Sequence, residues 1–368
     1  MPISKLTISN FRNLTSVDLA PSTLGLNIIC GQNGSGKTSI LEAIHYIGHG
    51  KSFRTSSSSR MIQHETDKFS LFSHIVRENQ AHLPVGVEKT ITGSNRLRIA
   101  GEDATSIAEL ARYLPIRVIN SQSHQLLESG PSVRRKYLDW GLFYQSESFL
   151  SVWRQFERVL KQRNTVLKER RPKRELDVWT NEMARYGIAL DSLRREYIEQ
   201  LQPLLADLAA ELLGVSDTEI HYESGWNDEL EYETVLANSY HEDMRYACTQ
   251  YGPHRADVDV NIGGRSAKHF LSRGQQKLLI CAMILAQGML LSRAINKAPI
   301  YLVDDLPAEL DDGRGHKLVS LLIRQKTQVF ITAIDSGVML RLMDADTALL
   351  AKVFHVEHGC IRIGGDGA

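Results

Sequence analysis

The sequence predicts an α/β nucleotide-binding domain interrupted by an α-helical lobe. Three observations predict it. A glycine-rich loop, Gly31 to Thr38, sits between an apolar run and a helical pattern; a second apolar run ends on Asp304 and Asp305; and a glycine- and proline-poor stretch with helical spacing starts near Pro131. The 368 residues suffice for two to three domains. Forty-three Lys plus Arg balance forty-three Asp plus Glu, so any polyanion must be met by local patches and not by a tail. Cys30, Cys248, Cys281 and Cys360 lie far apart with no C-x-x-C pair, which rules out a disulfide framework, argues against structural zinc and fits a reducing cytoplasm. No apolar leader follows Met1, and the longest apolar stretch, Leu278 to Leu291, is broken by Gln287 and Gly288. A soluble protein without a membrane span is expected.

Taken in order, Ile3, Leu6 and Ile8 alternate with polar neighbours as in a half-buried strand, and the denser run Leu26 to Cys30 reads as a buried one. After the loop, Ile40, Leu41, Ala43, Ile44 and Ile47 recur at helical spacing and stop at Gly48-His49-Gly50. Strands are expected again at Phe69–Val76, Val85–Val87, Leu97–Ile99 and Ile116–Ile119. Pro131 can open a helix. Phe149, Trp153, Phe156, Leu160 and Leu167 fit a 4-3 spacing that Arg163 interrupts, and Trp179, Met183, Tyr186, Leu190, Leu193, Tyr197 and Leu201 resume it after Pro172. Two helices back to back explain this, as a hairpin about 30 Å long or as the core of an all-α lobe. The expected divisions are residues 1–128 and 215–368 for the two halves of the nucleotide-binding head and 129–214 for the helical lobe.

Gly31-Gln32-Asn33-Gly34-Ser35-Gly36-Lys37-Thr38 matches G-x-x-x-x-G-K-[ST] at every fixed position. Backbone amides of such a loop curl round a phosphate, the next helix adds its positive end, Lys37 reaches the β and γ oxygens, and Thr38, followed by Ser39, is placed to ligate Mg²⁺. Strand 300–303 ends on Asp304, the expected Mg²⁺ partner, and Asp305, placed to orient or deprotonate water. Gln122, after the strand at 116–119, is a candidate amide ligand for Mg²⁺ or water. Arg12 either touches phosphate or braces the edge strand.

Leu271-Ser272-Arg273-Gly274-Gln275-Gln276 followed by an apolar helix resembles the ABC ATPase signature. In that superfamily Ser272, Gly274 and Gln275 would cap the γ-phosphate held by a second copy, with ATP as the glue of a homodimer. Glu309-Leu310-Asp311 resembles the loop that passes between the two sites. Together with Phe11-Arg12-Asn13, Gly130-Pro131 to Trp140, Gly252-Pro253-His254-Arg255-Ala256-Asp257 and Val303 to Asp311, the chain resembles the RecF family of bacterial replication and repair proteins. The resemblance implies an ABC/SMC-type P-loop ATPase head with an inserted helical lobe, ATP and Mg²⁺ as cofactors, weak DNA-stimulated ATP hydrolysis, and ATP-dependent dimers on gapped or duplex DNA. It also implies work with RecR and RecO in bringing RecA to single-stranded gaps.

The sequence departs from the wider pattern in three places. Asn120-Ser121-Gln122 stands where the family commonly has Pro-Glu. Ala333 follows Thr332 where transporters carry a switch histidine, leaving a γ-phosphate contact to Thr332. Asp305 replaces the usual Glu, and its shorter reach predicts slow turnover. The rival readings are a transporter ATPase subunit and a small-molecule kinase. DNA contact would come from Arg134, Arg135 and Lys136, and from Lys161, Arg163, Lys168, Arg170, Arg171, Lys173 and Arg174 near the hairpin tip, although a solvated turn would look the same. Lys51 and Arg54 are further candidates.

Overall fold

The computed structural model describes residues 1–55, 57, 59–104, 106–305, 310–344, 348 and 351–363. Glu309, part of the expected inter-site loop, lies outside them. Residues 1–123 hold β1 (Ile3–Phe11), β2 (Leu14–Leu19), β3 (Gly25–Cys30), α1 (Lys37–His49), β4 (Lys68–Val76), β5 (His82–Thr90), β6 (Asn95–Ile99), β7 (Glu102–Asp103), α2 (Ile107–Ala111) and β8 (Ile116–Ile119). Residues 124–295 hold α3 (Gln125–Glu128), α4 (Pro131–Gln145), α5 (Phe149–Lys168), α6 (Lys173–Leu213), β9 (Thr218–Glu223), α7 (Tyr232–Asn238), α8 (Tyr240–Tyr246), β10 (Asp257–Ile262), β11 (Arg265–Ser266), α9 (Ala267–Phe270) and α10 (Arg273–Ile295). The remainder holds β12 (Ile300–Val303), α11 (Asp312–Arg324), β13 (Gln328–Ala333), α12 (Ser336–Arg341), β14 (Lys352–Glu357) and β15 (Cys360–Ile363).

Two compact units result: Met1–Ser123 with Asn296–Ala368, and His124–Ile295. The boundaries differ from those expected. Residues 215–295 belong to the same unit as the helical lobe, because α10 and β9 pack on α6 and β10 packs on α4. The signature segment therefore belongs to the helical unit.

In the first unit, a sheet ordered β15-β14-β3-β13-β12-β8 is parallel except for β15, and a second, antiparallel sheet runs β2-β1-β4-β5-β6-β7. Helix α1 packs against strands of both sheets and is buried at Lys37 and from Ser39 to Gly48. One continuous core joins Ile8, Phe11 and Phe69 of the antiparallel sheet to Ile44 and Ile47 of α1 and to Leu302 and Phe330 of the parallel sheet. β12 and β13 are buried at every residue, as parallel strands covered on both faces must be. Sites of such sheets lie beyond the carboxyl ends of the strands. There the chain leaves β3 into the glycine loop and leaves β12 at Asp304, with β13 between them.

In the second unit, α5 and α6 form the expected hairpin, closed by Glu169–Pro172 over Val166, Leu167 and Leu176. The first arm spans about 30 Å, but α6, with 41 residues, runs about twice as far and extends beyond the hairpin to pack on α10 and β9. Arg163 interrupts the apolar spacing because it is an interior ion pair: it meets Asp243 at 2.8 Å with both side chains at most 1% exposed, and donates to Thr249 and Thr180. It is therefore no candidate for DNA. Helix α10, at 23 residues, is long and apolar enough to cross a membrane, contrary to the sequence expectation. Its run Leu278 to Gly288 is buried without exception, so packing accounts for its apolar character.

Candidate nucleotide site

The glycine loop turns through conformations that side chains resist: Gly34 has φ 80° and Gly36 φ 120°, and a Cβ on Gly36 would approach Leu14 Cδ2 to 2.6 Å. Gly36 also leaves α1 without a side-chain cap, so the first-turn amides and the positive end of the helix face the loop. Lys37 is 6% exposed and its ammonium donates to the carbonyls of Gly31 (2.7 Å) and Gln32 (3.1 Å). Ser35 Oγ is buried without a partner among the described residues. Uncapped amides, a buried ammonium and an orphaned hydroxyl are the donors a polyphosphate needs.

Asp304 leaves β12 with its backbone amide bound to the Ile119 carbonyl, 2.8 Å. Its Oδ1 accepts from Thr38 Oγ1 at 3.0 Å and from Thr332 Oγ1 at 2.8 Å. Burial raises the Asp304 pKa and the neighbouring Asp305 adds to the rise, while the two hydroxyls and the charge of Arg54 oppose it. Thr38 Oγ1 and Asp304 Oδ1 fit Mg²⁺: both are hard oxygens, and their separation is close to the ~2.9 Å edge of an octahedron with Mg–O bonds of about 2.1 Å. No group of three or more His, Cys, Asp or Glu able to hold a metal occurs among the described residues, so beyond Thr38 and Asp304 the ligands would have to come from amide, phosphate or water oxygens.

Asp305 adopts φ 54°, in the left-handed region, and its amide donates to Thr332 Oγ1 at 2.9 Å. Thr332 Oγ1 thus donates its proton to Asp304 and accepts from Asp305, bracing the two aspartates. Gln122 is exposed just past β8, its amide donating to Asn120 Oδ1. β8 pairs with β12 so that Ile119 lies opposite Val303, and Gln122 follows in the 3-10 turn Ser121–His124, three residues beyond the end of that strand.

Arg12 does not stand free for phosphate. Its Nε and Nη2 grip Glu42 at 3.0 and 2.6 Å, and Nη1 donates to the Arg60 carbonyl. Glu42 is fully buried in α1 and also accepts from Ser52 and, at 3.5 Å, from Arg54. Sequence reasoning missed two residues here. One is Glu42, whose only signal is a carboxylate on the apolar side of a helix. The other is Asn13, which donates to the Gly34 carbonyl (2.9 Å) and accepts from Ser39 Oγ (2.8 Å), bracing the loop from outside.

On the second unit, Ser272 and Gln275 form a reciprocal cap at the start of α10: Ser272 N and Oγ donate to Gln275 Oε1, and Gln275 N donates to Ser272 Oγ. Ser272 is exposed and Gly274 lies in the first turn. Of the DNA candidates, Arg134 is held by Asp257 at 2.6 and 2.8 Å, Arg135 donates to the Ala256 carbonyl, and Arg171 pairs with Glu169 and Glu175. Lys136, Arg170 and Arg174 are exposed, and Lys173 lies 5.4 Å from the Tyr240 ring.

A parallel sheet with a phosphate loop and an aspartate-tipped strand on one unit, and a capped signature segment on another, defines an ATPase head of the ABC/SMC type. The family described as RecF/RecN/SMC N terminal domain matches residues 2–362. The DNA replication and repair protein RecF of Shewanella woodyi is 39% identical over 363 residues, 99% of this chain and 98% of its own, and that of Shewanella sediminis is 40% identical over 364 residues, 99% of each. A solved structure described as the recombination mediator protein RecF-ATP in the RecFOR pathway superposes with TM-score 0.86 at 25% identity, covering 99% of this chain and 98% of that one. An Smc head bound to the C-winged helix domain of ScpA shares the fold, with TM-score 0.61 at 16% identity over 99% and 97% of the two chains. The chain belongs to the RecF family of DNA replication and repair proteins. The transporter reading gains no support from these relatives.

Proposed function

We propose that the protein is an ATP-operated switch of recombinational repair in the cytoplasm, in which two copies close on duplex or gapped DNA with ATP between them and slow hydrolysis releases them. The observation that carries the reading is the bond between Thr38 and Asp304, with Asp305 beside it. The solved relative described as RecF-ATP supports ATP as the nucleotide, and its RecFOR pathway supports RecR and RecO as partners, with RecA further on.

In this reading Gly31 to Ser39 cradle the phosphates and Lys37 neutralises the β and γ oxygens. Thr38, Asp304 and Gln122 would hold Mg²⁺, which when bound supplies charge neutralisation at the transferring phosphoryl group. Asp305 accepts the proton of the water that attacks the γ-phosphorus as the bond to ADP breaks. Thr332 holds both carboxylates for their separate tasks. Ser272 and Gly274 of one copy meet the γ-phosphate held by the other, which makes the nucleotide the latch.

Sedimentation with and without ATP tests this. The parent shifts to twice its mass with ATP and DNA. Lys37→Met loses nucleotide binding, and Ser272→Arg binds ATP but stays monomeric. A parent that remains a monomer at saturating ATP and DNA overturns the reading.

A further inference from the structure

We infer that the outer face of α5 is a track for the phosphate backbone of duplex DNA. Arg154, Arg158, Lys161, Thr165 and Lys168 follow one another at steps of four, three, four and three residues, so they share a stripe about 80° wide and about 21 Å long. The buried residues of the same helix, Phe156, Val159, Arg163, Val166 and Leu167, lie on the opposite side.

All four cations are exposed, and none of them meets a carboxylate or another partner among the described residues. This sets them apart from the paired arginines of the same unit: Arg134, Arg163, Arg171, Arg185, Arg194 and Arg195 each hold an acid. Arg158, Lys161 and Lys168 line an open cleft of about 790 Å³, in which Glu157 is the one acid. Thr165, the one uncharged member of the stripe, bonds back to the Lys161 carbonyl.

In a chain of net charge zero, an unpaired row of four cations along one helix face is a local patch that suits an extended polyanion. Along 21 Å of axis a duplex presents about twelve phosphates. The stripe carries no aromatic side chain on which single-stranded bases would stack, so the duplex is the occupant. This surface replaces Arg134, Arg135 and Arg171 as the contact region, and it rests on the proposed DNA-bound function.

Fluorescence anisotropy with a labelled 30-base-pair duplex across a salt series, with ATP present, tests it. The parent is measured first: no binding overturns the DNA function itself. If the parent binds, Arg158→Gln with Lys161→Gln is expected to weaken affinity several-fold and to flatten the slope of log affinity against log salt by about 1.8, or about 0.9 for each phosphate no longer neutralised. The exposed pair Lys317→Gln with Lys326→Gln on the other unit leaves the slope unchanged. ATP-dependent doubling of mass persists in both. Should the double variant not fold by circular dichroism, Arg154→Gln and Lys168→Gln singly are expected to lower the slope by about 0.9 each. An unchanged slope in the α5 variants, or an equal loss in the control pair, overturns the proposal.

Discussion

Thr332 Oγ1 donates to Asp304 Oδ1 at 2.8 Å and accepts from the amide of Asp305 at 2.9 Å, so one hydroxyl on the central strand β13 fixes both carboxylates of the neighbouring strand end. Thr332→Val keeps the shape and removes the hydroxyl. Phosphate release is expected to fall roughly tenfold, the kinetic equivalent of about 1.4 kcal/mol for one hydrogen bond, with affinity for ATP changed less than about threefold. Steady-state hydrolysis beside a fluorescent-nucleotide titration separates the two effects, and equal losses in both would show that Thr332 serves binding instead.

Glu42 is fully buried and Arg12 holds it through two nitrogens. Arg12→Ala leaves a carboxylate inside the core with only Ser52 and the distant Arg54 for company. It is expected to cost about 3 kcal/mol, while Arg12→Ala with Glu42→Leu recovers much of the loss, because the uncompensated charge and not the missing ion pair dominates. Urea unfolding of the two variants reads the difference directly.

His45 and His49 stack at 4.3 Å inside the head, with His45 Nδ1 against the Lys51 carbonyl. Burial holds the His45 pKa down to about 4 against the hydrogen bond to the Lys51 carbonyl and the charge of Glu42, and burial holds that of His49 well below its usual value with His45, Lys51 and Arg117 pushing the same way. Both rings are neutral in the folded chain and titrate near 6.5 when it unfolds. The unfolded state therefore takes up the extra protons, and stability present above about pH 6.5 is lost as pH falls towards about 4, by about 3 kcal/mol for His45 at the limit. Unfolding midpoints between about pH 7.5 and about pH 4.5 should fall less steeply in His45→Gln than in the parent.

Asn13 ties the Gly34 carbonyl to the Ser39 hydroxyl from outside the phosphate loop. Asn13→Ala frees both. The expected result is nucleotide affinity weakened about tenfold with little change in thermal unfolding, since Asn13 is exposed and contributes no core. Calorimetric titration of ATP with a parallel melting curve checks it.

The chemistry of the site was legible because its parts are contiguous: Gly31 to Thr38 and Val303 to Asp305 each read off a few neighbouring residues. What the residues do to one another was not. The loop amides needed Asn13, the acids needed Thr332, and Arg12 turned from phosphate to Glu42, each through a contact across the fold that no local spacing records. The same reason misplaced the unit boundary. Residues 215–295 look like head in composition, yet the packing of α10 and β9 on α6 assigns them to the other unit. Arg163 looked like one more surface cation until Asp243 was found opposite it.

Thr38 and Asp304 are 266 positions apart, and the whole of residues 124–295 is threaded between them. During synthesis the helical unit leaves the ribosome as one uninterrupted stretch and can fold while the nucleotide pocket still lacks a wall. Strands β12 to β15 arrive last, and β13 must insert between β3 and β12 to close the sheet. The aspartate wall of the nucleotide pocket therefore reaches a nascent chain only after the whole helical unit has been made.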